Sequence, residues 1–523
     1  MKSRQIMHKC KFINLFIIVF FSGILTGCGS QAVVQEENVA PQTLRETESY
    51  LIPDKILLEG TPNVLVDQIG YEINSTKIVM FKGEVLPLTF DVIDRENDEV
   101  VYSGTLIENG YDEDWKLNTA YGVFTQLEKE GNYYIRADVI GESYPFAIKS
   151  NLFQDLLGDV CLSFYRNRCG QELSEAIGGK DAHAICHTAK FVSDNTEIDL
   201  MGGWHTSQDS SRNVIDGCEA VADLLLAYKL NPEVFETTWQ QDALTSDVPG
   251  ILSEIKYETD WLLKMQDHKN GSVYKGILTK NISDDKTGKS PSQMILQNED
   301  IETTGVFAGV MAEFSESFQG YDGDYARECL RAAEQAWGYL ASQKATQAHY
   351  FAAACLYNAT GKAVYHSYLK EYRANAGRSD ENTLIKLRGD VAYLNSRRKV
   401  DTELCSMIMK DWMEKVEQLA EISSENAFRV CGTNVDDIFN HLLYLTMINH
   451  VITNHEYGTV LRSHLHFFLG RNPEGVSYFS SVGYKHLSEE NKTEEICTSP
   501  KRAAAMLLIL GEIVSEEMNT SEE

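Results

Sequence analysis

Four stretches of different texture follow one another along the chain. Residues 12–21 form an apolar run behind Lys2, Arg4, Lys9 and Lys11. The run is short for a bilayer crossing, so it predicts a cleaved export signal rather than a transmembrane helix. From residue 31 to about residue 54 aliphatic side chains are sparse and acids frequent, as in a solvated tether. An extra strand near residues 50–52 is the alternative there. Between residues 62 and 148 short alternating runs, such as 63–66, 77–81, 88–93 and 132–136, are separated by Gly, Asn and Asp turns. Six or seven such strands in about ninety residues predict a small β-sandwich. From residue 152 the period changes to that of helices, at 216–228, 251–265, 325–341, 347–357, 436–450 and 502–514. Eleven or twelve helix candidates follow in all, with almost no strand signal and no fixed repeat. That leaves a helical solenoid or a closed barrel of helix hairpins.

Composition and charge narrow the function. The apolar run ends in Leu25-Thr26-Gly27-Cys28, the pattern that precedes a lipid-modified cysteine in bacterial lipoproteins. Acyl chains on Cys28 would hold the protein at a membrane surface. The reading is therefore 1–28 lipoprotein signal, 29–60 acidic tether, 61–149 β-sandwich and 150–523 helical domain. A formal net charge of −30 argues against nucleic acid and anionic lipid as binding surfaces and suits a neutral sugar polymer. Of eleven cysteines, nine remain after Cys10 and Cys28, an odd number. Several, such as Cys329 and Cys355, sit in helical apolar patterns, so no disulfide framework is expected.

Two constellations carry chemistry. Cys169, Cys186-His187 and His205 offer the thiolate and imidazole donors of tetrahedral zinc. The spacing is not that of a compact zinc finger and serves two core cysteines beside two surface histidines equally well. Gly202-Gly203-Trp204-His205-Thr206-Ser207-Gln208-Asp209 places an aromatic face and a carboxylate together, which suits a sugar site but also an ordinary surface loop.

Gly202-Gly203-Trp204-His205 with Asp209 resembles the Gly-Gly-Trp-(His/Tyr)-Asp-Ala-Gly-Asp motif of glycoside hydrolase family 9, the inverting endoglucanases. Further stretches agree in order: Val66-Asp67-Gln68-Ile69-Gly70-Tyr71, Cys169-Gly170, His183-Ala184-Ile185-Cys186-His187, residues 260–267, Gly432-Thr433-Asn434, and residues 469–478. The resemblance implies a multidomain chain, an all-β immunoglobulin-like sandwich followed by an all-α (α/α)6 barrel. It also implies a structural zinc on Cys169, Cys186, His187 and His205, and no organic cofactor.

Inversion needs a base that activates water and an acid that protonates the leaving oxygen, with carboxyls roughly 6.5–9.5 Å apart. The resemblance gives Asp209 as base. Thr206 stands where the family has a further aspartate, and Ser207-Gln208 replaces Ala-Gly. Glu495, in Glu494-Glu495-Ile496-Cys497, is the candidate acid; a different register leaves no acid. Trp204, Tyr478 and His486 are the candidate sugar contacts, with core packing the alternative for the first two. The expected function is inverting hydrolysis of β-glucan or a related oligosaccharide at the cell surface by an eroded, cellulase-like site. The alternative is a catalytically weak or inactive surface glycan-binding protein on the same scaffold, held at the membrane by its lipid.

Overall fold

The computed structural model describes residues 62–113, 116–179, 182–188, 191–193, 196–239, 247–281, 292–375, 384–432, 434–451 and 455–521. Cys28, the signal and tether segments and Thr433 lie outside the described residues.

The N-terminal part is a sandwich of two sheets. One runs Val64–Leu65, Ile78–Lys82, Leu117–Val123, Ile107–Asp112 in spatial order. The other runs Gly70–Tyr71, Phe146–Ile148, Gly131–Ala137, Thr89–Asp94, Val100–Thr105. Pairing is antiparallel except where Phe146–Ile148 meets Gly70–Tyr71. The period-2 pattern places Val79, Phe81, Phe90, Val92, Tyr133 and Ile135 in the buried layer between the sheets.

The C-terminal part is a double ring of helices. Six inner helices are Val214–Leu230, Ile301–Phe318, Gln347–Thr360, Leu384–Leu394, Val435–Val451 and Pro500–Ser521. Each packs on the next, and the last closes on the first. They alternate along the chain with Gln154–Arg166, Gly250–Lys264, Gly323–Leu340, Ala363–Asn375, Thr402–Glu425 and His455–Phe468. Burial separates the two rings. The inner helix at residues 503–510 is buried without a break, whereas Gly323–Leu340 buries one stripe of Ala326, Cys329, Ala333, Ala336 and Leu340. This is an (α/α)6 barrel, and closure excludes the solenoid. Strands are more frequent here than periodicity predicts. Arg212–Asn213, Gly276–Asn281 and Ser292–Leu296 form a small sheet, and Phe191–Ser193 pairs with Thr196–Ile198. The nine cysteines of the described residues are free thiols.

Residues 469–485 join sandwich to barrel. Gln68 Nε2 donates to the Gly475 carbonyl at 2.9 Å, and Gln68 Oε1 accepts from the amides of Tyr484 and Lys485 at 2.6 and 3.1 Å. A Cβ on Gly470, whose φ is +118°, would stand 2.5 Å from Gln68 Nε2, so only glycine admits that side chain. His466 pairs with Asp67 at 2.7 Å beneath this contact. The sequence motif at residues 469–478 therefore serves domain docking.

Candidate functional site

Cys169, Cys186, His187 and His205 converge, their donor atoms all within 4.8 Å of one another. Cys169 Sγ lies 3.4 Å from His187 Nδ1, and Cys186 Sγ lies 4.0 Å from Cys169 Sγ and 3.6 Å from His205 Nε2. Tetrahedral zinc with sulfur at about 2.3 Å and nitrogen at about 2.0–2.1 Å needs donor separations of roughly 3.3–3.8 Å. The 3.4 and 3.6 Å separations fall in that range and the 4.0 Å sulfur pair lies just beyond it, so small side-chain shifts would let the four donors close on a tetrahedral ion. The Cys186 thiol is held low by the hydrogen bond from Cys169 and by both histidines, against burial.

His205 ends the Gly202-Gly203-Trp204 turn, which is clamped from below. Gly203 has φ +74°, and a Cβ there would meet the Trp261 ring at 2.6 Å. The Trp204 amide donates to Glu258 Oε2 at 2.7 Å, and its indole Nε1 donates to Glu254 Oε1 at 2.9 Å. Glu254 is gripped in turn by Arg168, through Nε at 3.0 Å and Nη2 at 2.7 Å. Arg212 donates to the carbonyls of Leu200 and Gly202. Burial pushes the Glu258 carboxyl up to about 8, against the Trp204 amide and Arg212.

Above this clamp the loop opens on a cavity of about 430 Å³. Thr206, Ser207 and Gln208 line it, together with Thr493, Thr498 and Ser499. The first turns of three inner helices close it with Asp216, Asp436, Lys501 and Arg502. Asp209 sits on the exposed turn beside Gln208 and is not itself among the lining residues. Its Oδ1 accepts from Ser207 Oγ at 2.6 Å and the Ser211 amide at 2.9 Å. Partial burial raises its pKa, but these hydrogen bonds outweigh it and hold the carboxyl below the ordinary aspartate value.

Residues 153–505 match the family described as glycosyl hydrolase family 9, and residues 59–142 match the cellulase N-terminal ig-like domain. The chain belongs to glycosyl hydrolase family 9. A cellodextrinase of Butyrivibrio fibrisolvens is 27% identical over 476 residues, covering 81% of this chain and 85% of that one. A metagenome-derived family 9 endoglucanase superposes with TM-score 0.76 at 20% identity, over 86% of this chain and 99% of that one. A zinc-binding triple mutant of the family 9 endoglucanase J30 gives TM-score 0.75 at 22% identity, over 85% and 99%.

Several residues expected at the family 9 site stand elsewhere. Trp204 is fully buried against Phe164, with its indole hydrogen spent on Glu254, so it offers no face to a sugar. Tyr478 packs on Phe467 and Phe468 and is 7% exposed, which corrects its reading as a platform. His486 is exposed, with Nδ1 on the Phe479 carbonyl at 3.0 Å, and does not line the cavity. Glu495 is buried, accepts from the Ser480 amide at 3.2 Å and is not among the lining residues. The Thr206 hydroxyl donates to the Ser211 carbonyl at 3.2 Å and accepts from the Asn213 amide at 3.0 Å, so it braces its own loop. Sequence reasoning missed Asp216, Asp436, Lys501 and Arg502. The signal available was charged residues opening otherwise apolar helices. Glu254 and Glu258, four apart on one helix, were equally visible as acids on a buried face.

Proposed function

We propose that this chain is an exported, lipid-anchored glycoside hydrolase that cleaves short β-1,4-linked gluco-oligosaccharides or β-glucan with inversion. The observation that carries the reading is the cavity itself. It lies against the Gly202–Asp209 loop, at the N-terminal turns of the inner helices, and holds both carboxyl and cationic groups. Its 430 Å³ falls in the range of about 300–1,000 Å³ found for small-molecule pockets. That size suits a few sugar units, in keeping with the cellodextrinase relative.

Asp209 is the base in this reading. Its depressed pKa keeps it ionised near neutrality, able to take a proton from water as that water attacks the anomeric carbon. Thr206 supplies no second charge beside it. Glu495, the acid that the resemblance nominates, is turned to the Ser480 amide instead. Cys169, Cys186, His187 and His205 would hold a structural zinc, whose four protein donors leave no open position for chemistry. The staple would fix the start of the Asp209 loop through His205. Export and anchoring rest on the charged and apolar segment ending at Cys28. The second reading, a surface glycan-binding protein with little or no turnover, is favoured by one observation: Thr206 and Glu495 are both committed to protein partners.

Reducing-sugar release from cello-oligosaccharides, soluble β-glucans and xylan, beside Asp209→Ala, tests the two readings. Turnover lost in the variant supports the hydrolase. Binding without turnover in the unchanged protein leaves the glycan receptor.

A further inference from the structure

The cavity needs a proton donor, and its wall holds one carboxyl that no protein group has claimed. Asp216 lies in the first turn of Val214–Leu230 and lines the cavity. Its backbone amide is capped by Asn213 Oδ1 at 3.2 Å. Among the described residues no donor reaches either carboxyl oxygen within hydrogen-bond distance. The charged groups around it are otherwise engaged. Lys501 pairs with Glu219 at 2.5 Å. Arg502 donates to the Thr493 carbonyl at 2.6 Å and to Asp436 at 2.8 Å. Asp436, the other carboxyl on the lining, is thereby tied to a permanent cation. Asp216 is half-buried, and that burial raises its pKa against the pull of Lys501 and Arg502, with Glu219 adding to the rise. Asp209, seven positions earlier on the exposed turn, is shifted the opposite way. Two carboxyls whose surroundings push their proton affinities apart are the arrangement acid–base catalysis uses.

We propose that Asp216, which lines the cavity where Glu495 does not, is the general acid of this site. This rests on the hydrolase reading. Asp209 removes a proton from water, the water oxygen bonds to the anomeric carbon, and the bond from that carbon to the glycosidic oxygen breaks. The leaving oxygen takes its proton from the Asp216 carboxyl. The products are the inverted sugar and the free alcohol of the departing unit. Asp216 then returns to its protonated form by exchange with solvent through the open cavity.

The test compares two substrates that differ in their need for an acid. Cellotetraose leaves as an alkoxide unless protonated, whereas 2,4-dinitrophenyl β-cellobioside carries a leaving group stable as its anion. Asp216→Asn, in the full chain and with an unchanged melting temperature, is expected to lose about 10²–10⁴-fold in kcat/KM on cellotetraose. On the dinitrophenyl substrate the loss should be less than tenfold, and the alkaline limb of the pH profile should disappear. Parallel behaviour on both substrates, whether unchanged or equally impaired, overturns the assignment. So does the same divergence appearing in Glu495→Gln instead. Should Asp216→Asn fail to fold, Asp216→Glu keeps a carboxyl, and its alkaline limb must move for the proposal to stand. A wild-type chain that turns over neither substrate sinks the hydrolase reading itself.

Discussion

Replacing Glu258 by glutamine isolates one buried proton. The side chain is fully buried, and Oε2 accepts from the Trp204 amide while Oε1 faces Gly217 with no partner. Its pKa rises from the ordinary 4.5 to about 8, chiefly because burial penalises the charged form. The folded protein therefore binds more protons than the unfolded one between these values. The stability that Glu258 contributes is greatest below pH 4.5, falls through the window and levels off above pH 8. At about 1.4 kcal/mol per tenfold change in proton affinity the full loss is about 5 kcal/mol. Glutamine keeps an acceptor for Trp204 and the same shape but cannot ionise, so this loss should vanish in Glu258→Gln. Other titrating groups, Glu517 among them, are common to both proteins and cancel in the difference. Urea unfolding at pH 5, 7 and 9, followed by tryptophan fluorescence, measures it. The variant should gain on wild type by about 3–6 kcal/mol between pH 5 and 9. Unfolding curves that keep a constant separation across that range would refute the reasoning.

Other changes test the same scaffold. Arg168→Met should destabilise by about 3–5 kcal/mol, seen in the melting temperature, because Glu254 is left as an unpaired buried charge. Gly203→Ala combines a left-handed backbone with a ring contact at 2.6 Å. It should cost about 1–3 kcal/mol in urea unfolding and lower activity by displacing the Asp209 turn. Gln68→Ala removes three hydrogen bonds between sandwich and barrel, roughly 1 kcal/mol each, and limited proteolysis should then cut between the domains sooner. Elemental analysis should return one zinc per chain, and Cys186→Ser should abolish it and lower the melting temperature.

Much of this protein is legible without its tertiary structure. The change from period 2 to helical period near residue 150 separates sandwich from barrel because each periodicity follows from local backbone geometry. The cysteine–histidine cluster and the Gly202–Asp209 loop are legible because donor chemistry and turn glycines are properties of residue type. Direction and burial are not. Trp204 reads as a sugar platform until Glu254 and Glu258, some fifty residues later, are seen to hold it inside. Glu495 reads as an acid until the Ser480 amide claims it. Asp216 reads as a first-turn acid until ring closure sets the helix Pro500–Ser521 against it and gives the surrounding cations other partners. Which carboxyl faces solvent, a salt bridge or an open cavity depends on contacts between segments far apart in the chain, and only the closed barrel brings those segments together.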